Sequence, residues 1–186
     1  MLRVIAGEAR RLQLKSLDGK NTRPTLDRIK ETLFNIIQPD ISNSIFVDLF
    51  SGTGQMAIEA LSRGAAYAYL VEMNKNAVSV INYNLEHTKY TDKSEVLAVD
   101  VNTAIRRLSD KGVVADYIYI DPPYLEQHDE RVLSELSRSS LLGDDTLVIV
   151  EAKLDTDFSF TEGMGYSIER IKEYKTNKHI FLKRTN

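Results

Sequence analysis

The sequence predicts an α/β Rossmann-like fold: a seven-stranded, mostly parallel sheet with helices on both faces, extended at the N-terminus by a small β-hairpin and a helix. Three observations lead there. Short β-rich runs alternate with longer amphipathic stretches through most of the 186 residues, the pattern of a doubly wound sheet. Gly52 and Gly54 stand between an apolar run and a helical one, as in turns that bring a ligand close to the main chain. Acidic residues close successive strand candidates, at the sheet edge where such folds bind their ligands.

The elements follow in order. Residues 3–5 and 11–15 are expected to pair as a hairpin around Gly7. Residues 25–37 read as a helix: Leu26, Ile29, Leu33, Ile36 and Ile37 recur at helical spacing, Pro24 precedes them and Pro39 ends the run. Strands are expected at 44–50, 66–72, 94–100, 116–121 and 146–151, each rich in β-branched, aromatic or aliphatic residues. Helices fill the intervals. At the end, 166–174 and 179–183 read as an antiparallel hairpin joined by Lys175-Thr176-Asn177-Lys178. One domain is expected over 1–186, with 1–40 as an N-terminal hairpin and helix extension and 41–186 as the core.

Composition narrows the class. Apolar residues at 42% and charged residues at 27% belong to a globular protein, not a disordered or fibrous one. With no cysteine, disulfides and thiolate metal sites are excluded. His87, His128 and His179 are too scattered for a local metal motif, so no metal is expected. Without a signal sequence or a membrane-length apolar run, a cytoplasmic protein is expected, acting as a monomer. The net charge of −3 is unevenly spread: residues 1–30 hold eight Lys/Arg against three acids, and 170–186 six against one. Both ends are therefore +5 around a body of −13, and basic ends suit nucleic acid as well as a solvated surface. Arg3, Arg10, Arg11, Lys15 and Arg28 are the candidate RNA contacts.

Three motifs carry chemistry. The first, Asp48-Leu49-Phe50-Ser51-Gly52-Thr53-Gly54, is a nucleotide-type turn that also satisfies a dinucleotide fingerprint, leaving a nicotinamide oxidoreductase open at this point. The second is the acid set Asp48, Glu72 and Asp100. Three carboxylates disfavour a diphosphate and suit a cation bearing a ribose, which describes S-adenosylmethionine. The third, Asp121-Pro122-Pro123-Tyr124, follows an apolar strand. An exocyclic base amine is a poor nucleophile, because its lone pair is delocalised into the ring. The Asp121 carboxylate and the Pro122 carbonyl can each accept one amine hydrogen, freeing that lone pair for an activated methyl group. Tyr124 offers a stacking face to an extruded base, a contact of about 1–3 kcal/mol.

The order of these motifs resembles class I methyltransferases of the amino-methylating kind. With Arg3-Val4-Ile5-Ala6-Gly7, the stretch from Arg23-Pro24-Thr25 through Thr32-Leu33-Phe34-Asn35, and Glu59-Ala60-Leu61-Ser62-Arg63-Gly64-Ala65, nearly the whole chain resembles the bacterial 16S ribosomal RNA guanine-N2 methyltransferase family. The resemblance implies a guanine in small-subunit RNA as substrate, met on a 30S particle or its assembly intermediate. It places Gly52, Gly54, Glu72, Met73, Asp100 and Val101 around the cofactor, with Glu72 on the ribose and Asp100 near the adenine; Asp48 and Phe50 of the first motif are further cofactor candidates. Arg23 and Thr25 are expected to border the donor's methionine end. Glu8 stands where that family usually has a basic residue, and Lys175 where glycine is common; both bear on RNA docking.

Other classes differ by visible features. A glutamine N5 methyltransferase usually carries Asn at the position of Asp121 and a separate helical domain ahead of the core. An N6-adenine DNA methyltransferase normally has a target-recognition insertion, and no interval here is long enough. An oxidoreductase would need neither the Pro-Pro-Tyr loop nor three strand-end acids, and a non-catalytic RNA-binding module would bind without turnover.

Overall fold

A computed structural model describes residues 2–17, 24–122 and 128–185, the side chains of 24–26 and 128 excepted. The chain forms two compact units, Met1–Asp100 and Val101–Asn186. The first contains α1 (Pro24–Ile37), β1 (Ile45–Asp48), α2 (Gln55–Ser62), β2 (Tyr67–Val71), α3 (Lys75–Thr88) and β3 (Ser94–Leu97). Its strands lie in the order β3-β2-β1, all parallel. Phe46 and Val47, neighbours on β1 that face opposite ways, are both fully buried, as a parallel sheet covered on two sides requires.

The second unit contains α4 (Val101–Asp110), β4 (Ala115–Ile120), α5 (His128–Ser137), β5 (Leu142–Lys153), β6 (Tyr166–Glu173) and β7 (Asn177–Arg184). Its strands are ordered β4-β5-β7-β6. The pair β4–β5 is parallel, whereas β7 runs antiparallel to both β5 and β6. The seven strands thus make a mixed α/β architecture, with the expected antiparallel hairpin at its end. Among the described residues no helix is long and apolar enough to cross a membrane.

Several boundaries differ from the sequence reading. The β3 strand ends at Leu97 instead of Asp100, and the Val99 amide turns back to the Leu97 carbonyl at 2.9 Å. The β5 strand begins at Leu142, four residues before the expected start. Gly143-Asp144-Asp145 reads locally as a turn, but Leu142 pairs with Ala115 and the Thr146 hydroxyl bonds to the Ala115 carbonyl. Asn177 and Lys178, expected in a turn, belong to β7. Lys178 is buried, its Nζ donating to the Leu154 and Thr156 carbonyls at 2.9 and 2.8 Å. The N-terminal hairpin forms without a regular strand pair: one antiparallel bridge joins Arg3 with Gln13, and backbone bonds run from Val4 to Leu12, Arg11 to Val4 and Leu14 to Leu2.

That N-terminal segment is held by a buried carboxylate. Glu59, fully buried in α2, accepts the Ile5 and Ala6 amides at 2.8 and 3.0 Å. Its side chain also pairs with Arg63 Nε at 2.9 Å and with Lys30 Nζ at 3.4 Å. Lys30 in turn donates to the Arg3 carbonyl at 2.7 Å. Burial pulls the Lys30 ammonium below its ordinary range, against the opposing pull of Glu59. One turn along α2, the Ser62 hydroxyl accepts the Ala9 amide and donates to the Ala6 carbonyl, while the Ser62 carbonyl accepts the Glu8 amide. The approach is so close that a Cβ on Gly7, whose φ is +82°, would lie 1.7 Å from the Ser62 oxygen. The glycine is demanded twice, by contact and by backbone angle.

Removing one partner from a buried ion cluster leaves the others charged and unpaired. Glu59→Ala is therefore expected to destabilise the protein by about 3–5 kcal/mol, read as a lower midpoint in urea unfolding. A loss under about 1 kcal/mol, the scale of an exposed pair, would show that the cluster is not what holds the arm.

Candidate active site

In the first unit, β1 ends on Asp48 and the chain turns through Ser51-Gly52-Thr53-Gly54 into α2. Gly52 and Gly54 both have positive φ, +54° and +78°. A Cβ on Gly54 would meet Leu70 at 3.0 Å, whereas one on Gly52 would meet nothing within 4 Å. Gly54 therefore serves close packing, and Gly52 faces open space where a ligand can approach. The turn is braced from behind by Asn84, a fully buried polar residue on the inner face of α3. Its Nδ2 donates to the Thr53 and Lys15 carbonyls at 2.9 and 3.0 Å, and its Oδ1 accepts the Lys15 amide at 2.7 Å. One amide group thus ties the N-terminal arm to the glycine turn.

The carboxylates of this turn differ in kind. Glu72, just past β2 and half-buried, accepts the Gly52 amide on Oε2 at 3.0 Å and the Asn74 amide on Oε1 at 2.8 Å. These bonds fix its orientation and leave one further lone pair on each oxygen. Asp48 is buried to 1% exposure. Its Oδ1 accepts the Phe50 amide at 3.3 Å, and its Oδ2, also buried, has no hydrogen-bond partner among the described residues. Burial pushes its carboxyl up to about 7, with a further upward push from the nearby Glu72 charge. Two carboxylates on one glycine turn, one of them buried and under-satisfied, fit a cationic ligand that also carries hydroxyls.

The remaining cofactor candidates of this unit lie beyond the strand ends. Phe50 is half-buried and Met73 is 72% exposed, beside Glu72. Asp100, exposed, sits three residues past β3 and immediately before α4. Val101, the first residue of α4, belongs to the second unit. Arg23 and Tyr124 lie outside the described residues, as does the side chain of Thr25, which falls in α1. Of the candidate RNA contacts, Arg10, Arg11 and Arg28 are exposed. Lys15 is exposed over the Tyr83 ring at 5.4 Å, and Arg3 pairs with Asp27 at 3.0 Å.

In the second unit, Asp121 and Pro122 follow directly on β4, half-buried and buried respectively. Two residues upstream, the Tyr119 hydroxyl donates to Glu151 Oε2 at 2.7 Å. Glu151 also accepts Asn177 Nδ2 at 2.6 Å and lies 3.3 Å from His179 Nε2. Burial alone would push the Glu151 carboxyl up, but the His179 contact and the Tyr119 and Asn177 donors together hold it below the usual range. His179 is fully buried and serves this network. The motif reading missed Glu59, Asn84, Glu151 and His179. The available signal was a polar residue at a core position of an apolar helix or strand.

A family model described as conserved hypothetical protein 95 matches residues 2–182. Ribosomal RNA small subunit methyltransferase D of Escherichia coli is 33% identical over 171 residues, covering 92% of this chain and 84% of that protein. Its namesake in Haemophilus influenzae is 31% identical, covering 83% and 80%. The chain belongs to this methyltransferase family. The family is one of S-adenosylmethionine-dependent enzymes, and the carboxylate-lined turn fits such a cofactor. Among solved structures, yhhF of Escherichia coli superposes with a TM-score of 0.84 at 30% identity over 99% of this chain and 98% of that one. A precorrin-6y C5,15-methyltransferase of Geobacter metallireducens, 16% identical, superposes at 0.69 over 93% and 94%. The second likeness extends the fold, a class I methyltransferase α/β architecture, well beyond the family.

The raised Asp48 carboxyl makes a stability prediction. Unfolded, this group ionises near 4; folded, it keeps its proton up to about pH 7. The folded state binds the extra proton between those values, so stability falls as pH rises from about 4 to about 7 and stays low above. Asp48→Asn, which keeps an acceptor for the Phe50 amide, is expected to be more stable than the parent at pH 8, by no more than about 4 kcal/mol. The difference should vanish near pH 4. Thermal melts across that range check it, and a constant difference would mean that Asp48 ionises normally.

Proposed function

We propose that the chain methylates the exocyclic N2 amine of a guanine in 16S ribosomal RNA, on the 30S subunit or its assembly intermediate, acting as a monomer in the cytoplasm. The observation that carries this reading is the Asp121-Pro122 turn directly after β4, in a chain whose relatives are named small-subunit rRNA methyltransferases. Bound S-adenosylmethionine supplies an electrophilic methyl carbon. The chain's residues bind, orient and activate around it.

Glu72, already oriented by two backbone amides, accepts the ribose hydroxyls on its remaining lone pairs. Met73, largely exposed, lends apolar surface to the adenine, with Asp100 and Val101 on its polar edge. Asp48, Phe50, Gly52 and Gly54 shape the turn, and Arg23 and Thr25 border the methionine end. The Asp121 carboxylate and the Pro122 carbonyl accept the two hydrogens of the guanine amine, which localises the nitrogen lone pair toward the donor. Tyr124 stacks on the extruded base. Residues 1–40 dock RNA through Arg10, Arg11, Lys15 and Arg28. Arg3 joins them when its exposed pair with Asp27 opens, at little cost for a surface ion pair.

Undermethylated 30S particles incubated with labelled methyl donor should gain one label, on the N2 of a single guanine. Label on an adenine N6, or on protein, would overturn the assignment. Asp121→Ala is expected to slow transfer on the order of a hundredfold or more with cofactor affinity nearly unchanged; equal losses in both would remove Asp121 from the chemistry. Charge reversal at Arg10 and Arg11 should weaken binding to the particle and flatten its salt dependence by about 0.7–0.9 per lost phosphate contact. An unaltered slope would move docking off the N-terminal arm.

A further inference from the structure

The register of the second unit sets out a row of side chains across its sheet. Tyr119 and Ile120 of β4 pair with Ile149 and Val150 of β5, the last pair before Asp121 and Glu151. Glu151 pairs with His179 of β7, and His179 pairs with Lys172 of β6. Paired residues on adjacent strands share a face. Side-chain bonds agree: Tyr119 and His179 both reach Glu151 Oε2, and the Tyr174 hydroxyl lies 3.0 Å from His179 Nδ1. One row back, Arg170 pairs with Phe181 on the same face. Arg170 and Lys172 thus stand on the face that carries Tyr119, three strand spacings from β4, about 14 Å.

This placement depends on an irregularity. The register shifts between Ile168 and Arg170, and one inserted residue reverses which alternate side chains face which way. With the bulge, Arg170 and Lys172 share the face of Tyr119 and His179. Glu173 pairs with Lys178 on the opposite face, and Glu169 accepts the Ser167 hydroxyl at 2.9 Å. Without it, Glu169, Ile171 and Glu173 would alternate onto the Tyr119 face. Arg170 and Lys172 are both exposed, and among the described residues neither is in an ion pair. Two exposed cations on the face opposite the acids beside them, on the edge strand of the sheet, have the character of an anion-binding edge more than of internal pairing.

We propose that Arg170 and Lys172 bind backbone phosphates of the RNA strand flanking the target nucleotide. This rests on the reading of Asp121-Pro122 as the turn that receives the base. At 3.4 Å of rise per nucleotide, about 14 Å corresponds to roughly four nucleotides. The contact is therefore local to the target, and it is separate from the arginines of the N-terminal arm.

The test compares the parent, R170Q/K172Q, and the charge-matched control K89Q/K93Q, whose exposed lysines follow the end of α3. Binding to undermethylated 30S particles is followed across salt concentration, and S-adenosylmethionine binding is measured separately. The edge variant is expected to lose about 1.4–1.8 from the slope of log affinity against log salt, for two phosphates at 0.7–0.9 each. The control should lose none, and all three proteins should bind the cofactor equally. Equal slopes for edge variant and control, with a parent that binds and methylates the particle, would overturn the proposal alone. A parent that binds cofactor but neither binds nor methylates the particle would overturn the functional reading, and this inference with it. Reduced cofactor binding by the edge variant would also count against it, because the residues would then be supporting the fold.

Discussion

The first unit depends on a charge that is out of water. Glu59 sits in an apolar helix, where an isolated carboxylate is very costly, and it is tolerated because four donors converge on it: two backbone amides, a guanidinium and an ammonium. The donors come from three stretches of chain: Ile5 and Ala6 of the N-terminal arm, Lys30 of α1, and Arg63 at the end of α2. The cluster therefore fixes the N-terminal arm, α1 and α2 in one arrangement. Since α2 grows directly out of the glycine turn, the residue that anchors the arm also anchors the far end of the helix that presents the turn. Asn84 closes the loop from the other side by holding Thr53 and Lys15 together.

The glycine turn shows the opposite economy. Glu72 is well satisfied and oriented, whereas Asp48 is buried with one oxygen unbonded, and burial raises its carboxyl to about 7. A protein selected for stability alone would place an amide or an apolar group there. Retaining an acid whose ionised form is disfavoured by its surroundings is what a site for a cation entails, since a bound positive charge offsets the desolvation that folding leaves uncompensated. In the proposed cofactor role, stability and binding therefore pull Asp48 in opposite directions.

The second unit treats its buried charge differently. Glu151 is met by a tyrosine, an asparagine and a histidine, enough to hold its carboxyl below the ordinary range in spite of burial. The result joins three strands through one carboxylate, directly upstream of Asp121-Pro122. A rigid support beneath the two residues proposed to orient an amine is what positional catalysis calls for.

Much of this was legible in the chain order of residues. The alternation of short apolar runs with amphipathic stretches named the α/β class, Gly52 and Gly54 named the turn, and the motifs taken together pointed to a methyltransferase, because each is a local pattern with a local physical cause. Strand ends were less legible. Leu142 and Asn177 join strands only because Ala115 and Lys153 pair with them, and no short window of sequence contains both partners. The roles of Glu59, Asn84, Glu151 and His179, and the face taken by Arg170 and Lys172, were decided by tertiary structure alone. A buried polar group is permitted only by partners that folding brings from elsewhere, and a strand's facing is set by a register that a single bulge can reverse.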